Sequence, residues 1–576
     1  MYHKPTAEHQ RIRYVAVFFL ILAGWIVVRL FVLQIVQHKY YALFALNAHE
    51  IYRKLHPERG QVFFQDTRTK QEYPAAVNKE FYIVYAVPKE MPPSEVATTT
   101  AQIIRILDIQ DEDQKKGLEQ KFAKTDSVYA PVAKKIPEEK VIALREAKLK
   151  GIYITPQTYR YYPEERLAAS VLGFTGSDND GNMVGRYGIE GYWEKELVGK
   201  GGLLAGERGA LGSWIATAGR TTIAPENGVD LLLTIDRALE YKACERLREG
   251  LVEYKAKSAA LVLMDPMTGA VLAMCSLPDF DPNNYSKVKD IAAFNNTSIF
   301  TSYEPGSVFK PITMAAGLDL GLVSPTTVFT DPCDIVINGY HVRNAERKCY
   351  GEQTMTQVLE KSINTGMVWV EERVGGDRFR EYAQKFGFGN KTGVNLNTEA
   401  AGDISSLDKK GQIFGANGSF GQGLTATPLQ LAAAYAAIAN EGKLPKPYIV
   451  EEVRYANGKK ERTLPSVAEQ VVSPRAAKLL SGMLVSVVEN HYHAAKIKNY
   501  YVAGKTGTAQ IAERGAYSID RTNHTFAGFA PADHPRFVLI VKYEEPEQHW
   551  AEQTALPVFR DVMKFALDYY GVAGKR

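Results

Sequence analysis

The stretch Glu304-Pro305-Gly306-Ser307-Val308-Phe309-Lys310-Pro311 decides how the whole chain is interpreted. A Pro-Gly turn precedes a predicted helix from Ser307 to about Leu318, whose first-turn N–H groups favour developing negative charge. Lys310 follows three residues later on the same helical face, within reach of the Ser307 hydroxyl. A serine becomes a nucleophile when a neighbouring base takes its proton, and burial or nearby cations make lysine such a base. The stretch therefore predicts a serine nucleophile with a lysine base.

Two other segments fit the same Ser-x-x-Lys pattern, which makes the pattern weak by itself. They begin at Ser286 and at Ser406, and both lie in polar, turn-like sequence. Ser307 differs because the residues after it form an apolar helix that is expected to be buried. The surrounding sequence therefore selects Ser307 as the candidate nucleophile.

A second motif, Ser362-Ile363-Asn364, supplies a hydroxyl and an amide two residues apart in a predicted helix-flanking loop. A third motif, Lys505-Thr506-Gly507-Thr508, continues a predicted strand over 502–510. Thr506 and Thr508 share one face of such a strand, and Gly507 leaves room for a close backbone approach. The two threonine hydroxyls suit a carboxylate ligand.

The third motif also bears on the charge of the site. The Thr508 N–H is expected to pair with the Ser307 N–H as an oxyanion hole. Lys505 adds positive charge, which favours a neutral Lys310 and an anionic substrate. A second Lys-Thr-Gly, beginning at Lys391, follows a turn cluster instead of a strand, and Lys505 is the better candidate.

The N-terminal segment predicts a membrane anchor. Residues 14–36 are almost entirely apolar and long enough to cross a bilayer of roughly 30 Å. The basic tail 1–13 places the N-terminus in the cytoplasm, and no cleavage region follows the apolar run. Arg29 and Gln34 are costly in lipid, which predicts contact with a partner helix. A buried helix of a soluble protein is the alternative.

The composition limits the class of protein. A chain of 576 residues with a net charge of +4 is expected to hold two to four domains. It carries no basic stripe and no nucleic-acid motif, so nucleic acid is not an expected partner. The cysteines lack metal-ligand spacing, so no metal site is predicted. Cys244 and Cys275 are predicted to be buried thiols, and a Cys333–Cys349 disulfide is left open because sequence cannot fix its geometry.

The order of predicted elements indicates an α+β fold. Residues 37–225 alternate short strands with charged helices and carry no catalytic constellation, so they are predicted to form a non-catalytic pedestal. Residues 226–576 are predicted to form the catalytic domain. It has a hairpin near 260–274, a helical middle, strands over 502–510 and 537–543, and a closing helix over 555–569.

The three motifs in the order S-x-x-K, S-x-N, K-T-G are a signature of penicillin-interacting serine enzymes. The chain resembles the class B penicillin-binding proteins, the peptidoglycan D,D-transpeptidases, nearly from end to end. The further matching stretches are Arg59-Gly60, Arg160-Tyr161-Tyr162-Pro163, Gly188-Ile189-Glu190, Thr234-Ile235-Asp236, Gly421-Gln422-Gly423 and Thr427-Pro428-Leu429-Gln430-Leu431. After Arg59-Gly60 the chain departs from the family's usual pattern and has Gln61-Val62-Phe63-Phe64-Gln65-Asp66-Thr67.

The resemblance implies an antiparallel sheet flanked by helices on an elongated α+β pedestal, and a two-step acyl transfer. Ser307 would attack the D-Ala-D-Ala carbonyl of a stem peptide with Lys310 as base. Ser362 would relay a proton to the departing D-Ala, and Asn364 would hold the substrate amide. An amine of a second stem peptide would then form the cross-link, and β-lactams would acylate the same serine. No cofactor is implied.

The resemblance also implies a location and partners. The catalytic domain would lie outside the bacterial cytoplasmic membrane, and the anchor would contact a polytopic glycan polymerase and other divisome or elongasome proteins. The total length and the lack of C-terminal repeats look more like the septal, division-type branch. A D,D-carboxypeptidase or serine β-lactamase, and a non-catalytic β-lactam sensor or scaffold, are the alternatives.

Overall fold

The computed structural model of the chain describes residues 20, 22–28, 30–32, 50–179, 182–207, 221–513 and 516–574. The described strands are β1 (Glu50–Leu55), β2 (Val62–Gln65), β3 (Glu72–Ala86), β4 (Ala130–Ile136), β5 (Ile152–Tyr161), β6 (Phe174–Ser177), β7 (Met183–Arg186), β8 (Gly202–Glu207), β9 (Thr221–Ile223), β10 (Asp230–Asp236), β11 (Ser258–Met264), β12 (Val271–Leu277), β13 (Val328–Thr330), β14 (Asp334–Ile337), β15 (Tyr340–Arg343), β16 (Glu352–Thr354), β17 (Lys443–Pro445), β18 (Val450–Arg454), β19 (Lys460–Arg462), β20 (Val467–Gln470), β21 (Ala503–Glu513), β22 (Ala516–Ala530) and β23 (Phe537–Glu544).

The α-helices described from residue 50 onward are numbered in the same way. They are α1 (Val96–Leu107), α2 (Glu112–Phe122), α3 (Glu138–Glu146), α4 (Ala169–Leu172), α5 (Gly188–Tyr192), α6 (Glu194–Val198), α7 (Arg237–Glu253), α8 (Thr297–Phe300), α9 (Lys310–Asp319), α10 (Met355–Glu360), α11 (Asn364–Val374), α12 (Gly376–Lys385), α13 (Gln412–Ser419), α14 (Pro428–Ala439), α15 (Pro474–Asn490) and α16 (Ala555–Tyr569). The chain divides into two compact units, Met1–Glu58 with Gly199–Asn227, and Arg59–Val198 with Gly228–Arg576. The described part of the first unit holds the antiparallel sheet β1-β8-β9.

The catalytic sheet of the second unit has five antiparallel strands in the order β12-β11-β23-β22-β21. Helices α7 and α16 pack against each other on one of its faces. Tyr543 of β23 points to that face, because its hydroxyl donates to the Leu247 carbonyl of α7. The next side chain back, Lys542, therefore points to the other face, where its ammonium lies over the Tyr303 ring. The serine motif lies on that second face.

A second sheet in the same unit combines segments that are far apart in sequence. Its strands follow the order β19-β18-β10-β2-β3-β4, and β5 pairs with β3 on the edge opposite β4. Strand β10 runs parallel to β2 and antiparallel to β18, so that Leu231 has Val62 on one side and Val453 on the other. Sequence alone placed β10 and β18 in the catalytic domain and β2 in the pedestal. One sheet contains all three.

A buried ion-pair network lies beside this sheet. Glu190 is fully buried, and its two carboxylate oxygens accept hydrogen bonds from Arg59 Nε at 2.8 Å and Arg160 Nε at 2.6 Å. Burial alone would raise the pKa of Glu190, but Arg160 and Arg59 together hold it below its ordinary value. The three family stretches that contain these residues are therefore joined in space by one carboxylate.

The predicted elements near the site agree with the structure in most places. The closing helix over 555–569 and the hairpin near 260–274 are confirmed, and the strand over 537–543 extends to Glu544. The predicted helix from Ser307 is wrong in its first turn, which is a 3₁₀ turn over Gly306–Phe309 followed by α9. The change of helix type fits Gly306, whose positive φ of 57° begins the turn.

The sequence did not predict strand β22. It lies in the centre of the sheet between β21 and β23, yet its first half is polar, with Asp520, Arg521, Asn523 and His524. This half extends toward the cleft, beyond the fully apolar part of the core, so it lacks the alternation that identifies a strand. His524 is fully buried, and its Nδ1 is hydrogen-bonded to Thr554 Oγ1.

Both cysteine pairs form disulfides. The prediction of free thiols at Cys244 and Cys275 is wrong, because α7 packs on β12 with the two Cα atoms 5.5 Å apart. Cys333 and Cys349, left open from sequence, are also paired, with Cα atoms 4.8 Å apart. Residues distant in sequence meet here through packing, which spacing cannot reveal.

The predicted membrane anchor is not observed. Among the residues that the structure describes, no helix combines the length and the apolar character needed to cross a bilayer. Most of the segment 14–36, including Arg29 and Gln34, lies outside the described residues.

The Arg59–Glu190–Arg160 network gives a stability prediction. Glu190→Ala leaves the buried Arg160 guanidinium without a counter-charge and leaves Arg59 only its pair with Glu194, so we expect the free energy of unfolding to fall by roughly 3–5 kcal/mol. Urea titration followed by tryptophan fluorescence measures the change. Glu112→Ala, which breaks an exposed pair with Lys115, is the control and should cost less than about 1 kcal/mol. Equal losses in the two variants would contradict a structural role for the network.

Candidate active site

Ser307 lies half-buried on the wall of a cavity of about 480 Å³. The 3₁₀ turn over Gly306–Phe309 carries it, and the buried helix α9 behind the turn fixes its position. The sequence-predicted residues that line this cavity are Ser307, Ser362, Asn364, Thr506 and Thr508. Lys310 lies directly beneath them, fully buried. The structure therefore brings all three motifs together.

Glycines allow the motifs to approach so closely. A Cβ atom on Gly507 of β21 would lie 2.8 Å from the Pro305 carbonyl oxygen and 3.2 Å from the Val308 nitrogen. A Cβ atom on Gly421 would lie 2.2 Å from the Gly306 carbonyl oxygen. Real Cβ atoms do not make such contacts, so each position requires glycine. The Ser307 turn is thereby held between β21 and the 421 loop.

Hydrogen bonds connect the two serines and the buried lysine. Lys310 Nζ donates to Ser362 Oγ at 3.0 Å and to the Ser362 carbonyl at 2.6 Å. Ser362 Oγ in turn lies 3.0 Å from Ser307 Oγ. The sequence led us to expect direct contact between Lys310 and Ser307, whereas these bonds join them through Ser362.

The position of Ser362 follows from the turn between α10 and α11. Ser362 has a positive φ of 56°, and its N–H donates to the Leu359 carbonyl at the end of α10. Asn364 begins α11, and its Nδ2 donates to the Arg343 carbonyl at 2.8 Å. Asn364 also borders a second cavity of about 1030 Å³, which shares lining residues with the first. The serine and the amide thus reach the cleft from one turn, as the sequence predicts.

Strand β21 forms the opposite wall. Thr506 and Thr508 both line the cavity, which confirms that they share a face. Lys505 is fully buried, and its Nζ donates to Tyr492 Oη at 3.0 Å and to the Thr506 carbonyl at 3.2 Å. Thr506 Oγ1 donates to the same Tyr492 oxygen at 2.7 Å.

The two buried lysines differ in protonation. Burial lowers the pKa of Lys310 well below its ordinary value, and the charge of Lys505 lowers it further. Burial lowers the pKa of Lys505 to about 8, and the carboxylate of Glu552 acts in the opposite direction. The environment therefore favours the free amine at Lys310, whereas a pKa of about 8 leaves Lys505 largely an ammonium ion at neutral pH. This is the assignment that a lysine base beside an anion-binding lysine requires.

Sequence reasoning missed several residues of the cleft. Tyr492, at the end of α15, connects Lys505 to Thr506, and Glu552 and Trp550 line the cavity just before α16. These residues belong to no recognisable motif, and only their closeness to Lys505 in the fold identifies them. A polar cluster directly before the closing helix was the one available signal.

The second Lys-Thr-Gly and the two other Ser-x-x-Lys segments lie outside the cavity that Ser307 lines. The Lys-Thr-Gly beginning at Lys391 is in a loop, where the Thr392 and Gly393 N–H groups donate to the Glu399 carboxylate. Ser286 and Ser406 lie in separate 3₁₀ turns. Among the described residues, candidate metal ligands converge at Glu240, Cys244 and Cys275, whose sulfur atoms are bonded to each other.

A serine joined through a second serine to a buried lysine, facing a strand with another buried lysine, is the arrangement expected of a penicillin-interacting serine acyltransferase. Family models agree with this class. Residues 54–233 match the penicillin-binding protein dimerisation domain, and residues 259–564 match the penicillin-binding protein transpeptidase domain. The chain belongs to the class B penicillin-binding proteins.

Individual relatives cover most of the chain. Stage V sporulation protein D of Bacillus subtilis is 32% identical over 526 residues, 90% of this chain and 79% of that protein. Peptidoglycan D,D-transpeptidase FtsI of Escherichia coli is 31% identical over 437 residues, 75% of this chain and 71% of that protein. A crystal structure of penicillin-binding protein 3 from Mycobacterium tuberculosis, complexed with aztreonam, is similar with a TM-score of 0.68 and 26% identity, covering 91% of this chain and 98% of that one.

The link through Ser362 gives a kinetic prediction. In Ser362→Ala the bridge between Lys310 and Ser307 is lost, so we expect acylation of Ser307 by a fluorescent penicillin to slow about 10²- to 10⁴-fold. Stopped-flow or quenched-gel measurement of the second-order rate constant checks this. Ser286→Ala, in an exposed look-alike motif, should leave the rate unchanged. Acylation of Ser362→Ala at the wild-type rate would contradict the proton path.

Proposed function

We propose that the chain is a peptidoglycan D,D-transpeptidase that cross-links stem peptides through an acyl-enzyme on Ser307. The observation that carries the proposal is the continuous hydrogen-bonded set Lys310–Ser362–Ser307 at one wall of a cleft whose other wall is the Lys505 strand. The resemblance to relatives named as D,D-transpeptidases supports the same substrate class.

In the first step Ser307 Oγ attacks the carbonyl carbon of the penultimate D-Ala. The serine proton passes through the Ser362 hydroxyl to the free amine of Lys310. The N–H groups of Ser307 and Thr508 hold the oxyanion. When the tetrahedral intermediate collapses, the C–N bond breaks and the terminal D-Ala leaves as an amine, with the proton returned through Ser362.

In the second step the amine of another stem peptide attacks the acyl-enzyme. Lys310 takes the amine proton through Ser362 and the Ser307 oxygen leaves with a proton, so a new amide bond replaces the ester. Asn364 holds the amide of the donor peptide. During the first step, Lys505, Thr506 and Thr508 hold the carboxylate of the terminal D-Ala until that residue leaves. Gly507 keeps the strand close enough for these contacts. The amide and carboxylate contacts stay predictions of the motif match.

Covalent labelling tests the nucleophile. We expect intact-mass analysis after incubation with a penicillin to find a single lasting adduct on the wild type and none on Ser307→Ala. Rapid consumption of the drug without a lasting adduct would instead favour a β-lactamase, in which water deacylates the enzyme. Release of D-Ala from a stem peptide without cross-linking would favour a D,D-carboxypeptidase. A folded wild type without any reaction would favour a sensor or scaffold.

We further propose that residues 14–36 anchor the chain in the bacterial cytoplasmic membrane, with tail 1–13 inside and the catalytic domain outside. The length and apolarity of the segment support this. Residues 37–225 are the proposed pedestal and residues 226–576 the proposed transpeptidase domain. We also propose a role in septal cell-wall synthesis together with a polytopic glycan polymerase. The similarity to FtsI and Stage V sporulation protein D supports this role.

A fluorescent fusion tests anchor, partner and septal role together. We expect the full chain to give a membrane signal concentrated at the septum. Removal of residues 1–36 should abolish the membrane signal. Arg29→Leu combined with Gln34→Leu should keep the membrane signal and lose the septal enrichment, because these polar side chains are the proposed contacts with the partner helix. Uniform membrane fluorescence of the wild type would contradict the septal role.

A further inference from the structure

Glu552 is an acidic residue of the cleft that no motif accounts for. It lies in the 3₁₀ turn over Ala551–Gln553 and lines the same cavity as Ser307. Its Oε1 atom is 3.4 Å from Thr506 Oγ1. Its Oε2 atom is buried and accepts no hydrogen bond from any residue that the structure describes. A desolvated carboxylate oxygen without a donor is costly, so its retention calls for a compensating charge.

The compensating charge available in the cleft is Lys505. Lys505 Nζ and Thr506 Oγ1 both donate to Tyr492 Oη, at 3.0 and 2.7 Å, and Thr506 Oγ1 also contacts Glu552. The carboxylate and the ammonium thus lie on either side of one tyrosine–threonine pair, with Lys505 fully buried and Glu552 half-buried at the wall of the cleft. Their attraction is stronger there than on the surface, because the local dielectric is low.

We propose that Glu552 is a positioning residue whose carboxylate keeps Lys505 in its ammonium form, the form that holds an anionic ligand in the cleft. The proposal rests on the function proposed above. Glu552 touches neither reacting atom; it acts through Lys505.

The charge of Glu552 changes the protonation of Lys505 in one direction. Lys505 has a pKa of about 8 because burial lowers it while Glu552 opposes the decrease. Without the negative charge, Lys505 would lose its proton at lower pH. A neutral Lys505 no longer holds an anionic ligand, and it no longer lowers the pKa of Lys310. Loss of the anion-holding charge slows acylation on the alkaline side only, where the proton of Lys505 is lost, because alkaline pH by itself keeps Lys310 a free amine.

Other charged and titratable groups surround this pair, and the test has to separate them from Glu552. Those facing Lys505 or lining the same cavity are Lys310, Glu346, Lys348, Tyr350, Lys361, His491, Tyr492 and Glu552. Burial and Lys505 lower the pKa of His491, so His491 is neutral around and above neutral pH. Burial and Glu552 raise the pKa of Tyr492, which therefore stays protonated throughout the relevant range.

The test is the pH dependence of acylation of the full chain by a fluorescent penicillin, for wild type and Glu552→Gln. An opposite charge at this range shifts a pKa by about one unit or more. We therefore expect the alkaline limb of Glu552→Gln to move down by about one pH unit, which makes acylation roughly fivefold slower at pH 8. At pH 6 Lys505 is protonated in both proteins, and the variant should react at least as fast, since a charge that repels the drug is gone.

Two further variants make the result specific. Glu552→Asp retains the charge and should keep the alkaline limb near the wild-type position. Glu547→Gln removes a carboxylate of the same turn-rich segment, where Glu547 forms an exposed pair with Lys255, and should leave the whole profile unchanged. A general structural defect would lower the rate of Glu552→Gln by the same factor at every pH, and that outcome overturns the proposal.

A readout independent of acylation separates this inference from the proposed function. Trace acetylation of lysines at graded pH, followed by mass spectrometry of the Lys505 peptide, reports the titration of Lys505 directly. We expect its half-labelling pH to fall in Glu552→Gln. If the wild type never reacts with penicillin, the proposed function fails, and an unchanged Lys505 titration in Glu552→Gln overturns the electrostatic coupling.

Discussion

The structure of the cleft depends on one steric constraint, the contact between the backbone of β21 and the turn that carries Ser307. At Gly507 there is no space for a Cβ atom, because the Pro305 carbonyl and the Val308 nitrogen fill it. This contact places the Thr506 and Thr508 side chains opposite Ser307 and puts Lys505 behind them. The short distance between β21 and the Ser307 turn fixes how the two elements are arranged and where the two lysines lie. A single methyl group at Gly507 would disrupt it.

Burial of two lysines in one small region imposes the second condition. Desolvating two ammonium ions side by side is costly, and burial together with the charge of Lys505 favours the neutral amine at Lys310. Lys310 has hydroxyl and carbonyl partners on Ser362, whereas Lys505 has a tyrosine oxygen and the field of a carboxylate. The same chemical group thus serves as a base at one position and as a fixed charge at the other.

The sequence predicted the residues that carry the chemistry better than it predicted which distant segments contact each other. Ser307, Lys310, Ser362, Asn364 and the Lys505 strand could be predicted because spacing within a helix turn or strand is local. Contacts made by distant segments could not, which is why the Cys244–Cys275 disulfide, Tyr492 and Glu552 were missed. Strand β22 was missed for another reason: its polar half borders the cleft, so function interrupts the alternation that normally identifies a strand.

The pairing of strand β10 determines how the two regions matched by the family models are connected. The dimerisation-domain match ends within it, and the transpeptidase match contains β18, yet β10 bonds to β18 on one edge and to β2 on the other. The two matched regions therefore share a backbone ladder instead of a flexible linker. Rotation of one against the other would break that ladder. A catalytic fragment beginning at residue 259 would leave the edge of β18 without its partner, open to pairing with another chain.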